Sequence, residues 1–385
     1  MYTTERKNHM NQKEIGEIRR RFNPSKSNIG RVYGCFVNNN KEIVSNIDAA
    51  LSLLPESEAE KYLSLLKKSL SGTQGKNLLD ICFTAEQVSD SEEHRLLTML
   101  RDTGLKDNDA LNTFYQKVIE SIETKNGYLI LIAADKYDVP HKNVEGENDH
   151  DASDQMFTYI VCSICPVKKT TPELSYFADE NTFHNSDETL VVSAPELGFM
   201  FPAFDDRAAN IYNALYYTRS AEDVHQDFID AVFHTEPPMS ASEQKELFTD
   251  AFADALSEEM SFDIVQTVHE QVCEMIEQHK EAKDVEPLEI TSKEIGNILE
   301  KNGVPEETVN SFTEKCDEHF GTGAVLNPTN IIDSKRFEVV TPDVKIHVNP
   351  EKSYLVETRI IDGHKYIMIN ADNGVEVNGI NVNVK

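Results

Sequence analysis

Near the start of the chain Ile15, Ile18 and Phe22 recur at helical spacing, and Asn23-Pro24 ends that run. The stretch "IGRVYGCFV" then reads as a short strand. From Asn46 to about Leu70 the spacing of Ala49, Leu51, Leu53, Leu54, Tyr62, Leu63 and Leu66 predicts two helices, broken near Pro55. After a "SGTQG" loop, "NLLDICFT" reads as a buried strand, and helices are expected over about 90–103 and 107–124. Residues 1–125 thus read as a mixed, mostly helical module.

The period then changes. "GYLILIAA", "MFTYIVCSICPV", "TLVVSA", "LGFMFPAF" and "IYNALYYT" are rich in β-branched and aromatic residues, with turn residues between them. They predict a mostly antiparallel sheet. The first two are joined by "KNVEGENDHDASD", whose length and acidity suggest an exposed loop. Helices are expected over 221–234, 241–258 and 262–282, so residues 126–285 read as a central sheet with helices. In 286–385, Thr291 and Glu294 form a capping-box pattern, a second helix spans about 305–319, and Asp362-Gly363 between alternating runs signals a hairpin. The expected class is α+β.

Composition narrows the function classes. The 385 residues hold 67 acidic and 37 basic side chains, a net charge of −30. That balance argues against general nucleic-acid or membrane binding over the whole surface. No apolar run approaches the ~18–20 residues of a membrane span, and "MYTTERKNHMNQ" lacks the apolar region of a secretory signal. Translation is expected to begin at Met1 or Met10. Six scattered cysteines read as reduced thiols, so the expected location is cytoplasmic. The charge is uneven: residues 1–41 hold nine Lys/Arg and three acids, a net of +6 on an otherwise acidic chain.

That basic segment is the leading candidate site. With Ile15, Ile18 and Phe22 buried, Arg20 and Lys13 point outward at 100° per residue, while Arg21 meets Glu17 as an i,i+4 partner. Lys13, Arg19, Arg20, Lys26 and Arg31 then form a strip suited to phosphate or acidic protein, arginine through bidentate bonds. The competing reading is a set of cations complementing a helix dipole. A second candidate is "FPAFDDRAAN", where Asp205 and Asp206 follow an apolar strand and, with His184 or His234, would make a metal or acid–base site. Its bland alternative is an Asp–Arg salt bridge in a turn.

Three further patterns read as structural. Cys162-Ser163-Ile164-Cys165 lacks a second ligand pair for zinc and lies in a strand, where positions three apart face opposite sides. His269 and Cys273 approach a zinc-protease spacing with the wrong second ligand, and are expected to face solvent on a helix. Asp149, His150, Asp151 and Asp154 lack the glycine and the terminal glutamate of a calcium loop. No glycine-rich phosphate loop, nucleophile elbow or dinucleotide fingerprint is present, and no cofactor is expected.

Several blocks together resemble an uncharacterised bacterial family, domain of unknown function 4317. They are "NQKEIGEIRRRFNP", "SEEHRLL", "YIVCSICPVK", "PELGFMFPAFDDR", "NIYNALYY", "FHTEPPM" and "VEVNGINV". The resemblance runs from about residue 11 to the C-terminus and implies a bacterial cytosolic protein built as one unit; it carries no activity to transfer. The residues themselves favour a non-enzymatic binding protein whose basic N-terminal segment docks on RNA or a ribonucleoprotein such as the ribosome. The alternatives are a metal-dependent hydrolase centred on Asp205 and Asp206, and an acidic protein–protein adaptor.

Overall fold

Alternation along one strand organises the first half of the molecule. In β4 (Tyr128–Lys142), Ile130 and Ile132 enter one core, while Leu129, Leu131 and Ala133 enter another on the opposite face. A strand apolar on both sides must be covered on both sides. The computed structural model of the chain describes residues 9–25, 27–142 and 148–383, and divides it into two units, Met1–Ser240 and Ala241–Lys385.

In the first unit β4 joins β1 (Arg31–Val37), β2 (Ile43–Ala50), β3 (Leu78–Cys82), β5 (Asn148–Lys169), β9 (Leu197–Phe201) and β12 (Asn213–Thr218). The order is β2-β1-β4-β5-β9-β12-β3, every pairing antiparallel, with β8 (Leu190–Val192) added beside β5. Two hairpins stand off the sheet: β6–β7 (Leu174–Phe177, Thr182–Asn185) and β10–β11 (Ala203–Asp205, Ala208–Asn210).

Helices cover both faces. On one, α4 (Glu92–Asp102), α5 (Asn108–Ser121) and α6 (Gln226–Phe233) bring Leu97, Leu100, Phe114, Val118, Phe228 and Phe233 onto Ile130, Ile132, Phe199 and Tyr216. On the other, α1 (Gln12–Arg19) and α2 (Glu56–Lys68) bring Ile15, Ile18, Leu63 and Leu66 onto Leu129, Leu131 and Tyr159. Each such fully buried side chain stabilises the fold by about 1.5–3 kcal/mol. Short α3 (Ala85–Asp90) leads into α4.

The second unit has its own core, where α7 (Ala241–Leu256), α8 (Phe262–Ala282), α9 (Ser292–Lys301) and α10 (Glu306–Phe320) meet around Phe248, Phe252, Val272, Leu299 and Phe312. Strands β13 (Ile290–Thr291) and β14 (Val325–Leu326) pair beside it. Three two-stranded hairpins follow: β15–β16 (Phe337–Val340, Lys345–Val348), β17–β18 (Val356–Ile361, His364–Ile369) and β19–β20 (Val375–Val377, Ile380–Val382). The class is α+β, as the pattern implied.

Some boundaries differ from the sequence reading. Strands from both sides of residue 125 share one sheet, and α7 and α8 share a core with α9 and α10, so the division falls after Ser240 and not at 125 or 285. The helix expected from Asn46 is the end of β2 plus a 3-10 turn over Leu51–Leu53; the helix expected over 221–234 starts only at Gln226. Of the acidic connection expected as a loop, residues 143–147 lie outside the described residues, while β4 runs to Lys142 before them and β5 begins at Asn148 after them.

Candidate nucleic-acid interface

Helix α1 starts at a complete capping box, Asn11 with Glu14, and ends at Arg19 with Arg20 as its C-cap. Arg21 is therefore beyond the helix, and the expected i,i+4 pair with Glu17 does not form. Arg21 instead grips Asp135 of β4 through two bonds, Nε to Oδ2 at 2.6 Å and Nη2 to Oδ1 at 3.1 Å. The Tyr159 hydroxyl donates to the same carboxylate at 2.8 Å, and the guanidinium lies 4.4 Å from the Tyr137 ring centroid. Burial pulls the Arg21 pKa down, but the bonds and charge of Asp135 outweigh it and raise it; burial first, then Asp135, pushes Tyr159 well up. Glu17 has other partners. It accepts two bonds from Arg207, at 2.7 and 3.0 Å, and one from the Tyr137 hydroxyl at 2.5 Å.

The Arg21–Asp135 pair has a consequence on the other face of the sheet. It fixes Lys136, whose N–H donates to Asp135 Oδ1 at 2.8 Å and whose carbonyl accepts from Arg21 Nη2 at 3.3 Å. Lys136 continues the alternation of Ile130, Ile132 and Ala134, and so emerges where the helix layer over that face stops. Helix α4 ends there in a Schellman turn: the Leu105 N–H bonds the Leu100 carbonyl at 2.9 Å and the Gly104 N–H bonds that of Arg101 at 3.0 Å. Gly104 supplies the left-handed φ of +62° this turn needs, and Leu105 drops into the core.

The uncovered corner is a cleft of about 580 Å³. Its floor runs across four strands: Ala50 of β2, Arg31 and Tyr33 of β1, Ala134 and Lys136 of β4, Thr158 of β5. Its wall is Asp102, Thr103, Gly104 and Lys106 at the end of α4, and Asn28 closes another side. Arg31 ion-pairs with Asp48 on β2, whose hydrogen bond raises the arginine's pKa. Asp102 is held by Arg101, Nε to Oδ1 at 2.7 Å. Lys106 and Lys136 have no acidic partner among the described residues. Two unneutralised ammonium groups, an ion-paired guanidinium and a tyrosine side chain thus line one open cleft. Cations that follow a backbone, with an aromatic surface for a base, are what a single strand needs.

The strip expected from the sequence is divided. Lys13 and Arg20 are exposed and Arg19 is half-buried, all on the α1 side of the sheet. Arg31 and its neighbour Asn28 line the cleft on the opposite side, and Lys26 lies outside the described residues. Lys106, Lys136, Tyr33 and Thr158 escaped sequence reasoning because they come from distant segments. The one available signal was the period-2 continuation from Ile130 to Lys136.

The second candidate is not assembled. Asp205 and Ala208 pair across a two-residue turn in which Asp206 and Arg207 both have positive φ, at 48° and 58°. Asp205 is buried and accepts from Asn210 at 3.1 Å, while Asp206 is the exposed tip. The expected Asp–Arg bridge is replaced by Arg207 clasping Glu17. His184 stacks on Phe177 and faces Glu180 in the β6–β7 hairpin; His234 caps α6 beside Asp230. Among the described residues no three His, Cys, Asp or Glu side chains gather at a metal-binding position.

Cys162 and Cys165 are buried on opposite faces of β5, and burial pushes the Cys165 thiol up to about 12. His269 and Cys273 are half-buried and not solvent-facing: His269 bonds the Asp333 carbonyl at 3.0 Å, and its other nitrogen lies 3.7 Å from the Cys273 sulfur. Burial lowers the His269 pKa and raises that of Cys273 to about 11. The side chains of 149–151 and 154 lie outside those described. No helix among the described residues is long and apolar enough to cross a membrane.

A search of curated proteins yields no match. A family model described as domain of unknown function DUF4317 matches residues 10–380, which spans both units, the α1 capping box and the whole cleft, and the chain belongs to that family.

Proposed function

We propose that this protein is a non-enzymatic cytoplasmic binding protein that docks on single-stranded RNA, free or displayed on a ribonucleoprotein. The observation that carries this reading is the open cleft lined by Arg31, Lys106, Lys136 and Tyr33 in a chain of net charge −30. The basic N-terminal segment contributes its Asn28–Arg31 end to the cleft. Lys13 and Arg20, on the opposite side of the sheet, add long-range attraction only. The acidic remainder repels phosphates elsewhere and so confines contact to this corner.

Salt titration tests the reading. Each phosphate contact to a single strand contributes about 0.7 to the slope of log affinity against log salt. Replacing Lys106 and Lys136 with Gln should weaken binding of a labelled oligouridine and flatten the slope by about 1.4 units. Replacing Lys13 and Arg20 should change the slope less. An unchanged slope in the Lys106/Lys136 variant would mean that RNA does not dock in the cleft.

A further inference from the structure

One cleft residue has the wrong sign for a phosphate site. Asp102 lines the same cleft as Lys106 and Lys136, and its carboxylate would repel a nucleic-acid backbone. Arg101, whose side chain is only 16% exposed, holds Oδ1 at 2.7 Å and lies 6.0 Å from the Phe201 ring centroid. The second carboxylate oxygen, on a side chain 58% exposed, has no partner among the described residues. An acceptor-only group that shares a cleft with cations is useful if what enters beside it is a base edge and not a phosphate.

We infer that the cleft reads a guanine within single-stranded RNA, its ring on Tyr33 and its Watson–Crick edge on Asp102; this rests on the RNA-docking reading above. Guanine alone among the four bases offers two adjacent donors on that edge, N1–H and N2–H. Both suit one carboxylate. Adenine and cytosine each place a ring-nitrogen acceptor beside their amino group, which a carboxylate repels, and uracil flanks its single N–H with two carbonyls. The neighbouring Lys106 and Lys136 are donors for guanine O6 and for the flanking phosphates. The cleft, at about 580 Å³, is within the range of small-molecule sites and admits one splayed-out nucleotide.

The test compares 5′-labelled octauridine with octamers carrying one central G, A or C, by fluorescence anisotropy on the full chain. The G octamer should bind about tenfold tighter than the other three, as expected for one bidentate contact. Asp102→Asn should bring it to within about threefold of octauridine, with thermal melting checking that the variant is folded. Equal affinity for all four octamers, or a G preference that survives Asp102→Asn, would overturn base reading and leave RNA docking intact. No binding to any octamer by the folded protein would overturn both. Free guanosine monophosphate should compete only at more than a hundredfold excess over the G octamer; competition at equal concentration would assign the site to a free nucleotide and overturn the RNA assignment.

Discussion

At the scale of residues, the three consecutive arginines do three different things. Arg19 complements the end of α1, Arg20 is exposed, and Arg21 is in a buried ion pair with Asp135. The outward position of Arg20 was readable from a 100° rotation. The partner of Arg21 was not, because it required knowing that the helix stops at Arg19 and that a carboxylate 114 positions away waits on β4. Breaking this pair is expected to be costly, since the Asp135 side chain is 1% exposed and that of Arg21 12%. Asp135→Asn should destabilise the first unit by about 3–5 kcal/mol, as removal of one member of a buried pair does. Denaturant unfolding gives the number, and a loss under about 1 kcal/mol would mean the pair contributes little. Cys162 and Cys165 were legible for a simpler reason: three positions along a strand reverse the face.

Elements were recovered wherever one face is buried and the period is clear. The expected strands became β1, β3, β4, β5, β9 and β12, and the Asp362-Gly363 turn joins β17 to β18. β2 was missed because it is an edge strand, exposed along much of its length, so burial imposes no alternation on it. Its Ala49 and Ala50, with Leu53 and Leu54 just after it, then mimic an i,i+4 helical spacing. Register was also beyond the sequence, and register builds the cleft by setting Arg31 beside Ala50 and Lys136 beside Thr158. Gly34 marks a close approach of β1 to β4. A Cβ on Gly34 would stand 2.0 Å from the Ile130 carbonyl oxygen, with backbone and not a flexible side chain in the way. Gly34→Ala is expected to cost about 1–3 kcal/mol through forced separation of the strands. The measurement is the midpoint of thermal unfolding, and a variant as stable as the parent would show that the strands part freely.

For the whole molecule, charge and buried phenols set the response to solution conditions. Burial raises the pKa of Tyr128, Tyr159 and Tyr216, so their neutral forms belong to the folded state. Unfolded tyrosine ionises near pH 10. These groups therefore contribute stability that is fully present below about pH 10 and is lost as pH rises above it, because the unfolded chain releases protons that the folded chain retains. The buried thiols of Cys35, Cys162, Cys165 and Cys316 are raised in the same way and ionise near pH 8.5 in the unfolded chain, so unfolding free energy measured from pH 8 to 11 should begin to fall at about pH 8.5 and fall more steeply above about pH 10. The charge asymmetry was visible in the sequence as nine basic residues against three acidic in the first 41. Its destination was not, since the sheet separates Lys13 and Arg20 from Arg31. RNA docking at the cleft is a statement about one place on the surface, and photo-crosslinking to single-stranded RNA containing 4-thiouridine at low salt, followed by identification of the joined peptides, reads that place directly. Docking in the cleft should give crosslinks at Tyr33 and within Asp102–Lys106. Crosslinks confined to the second unit, or to α1 without the cleft, would contradict it.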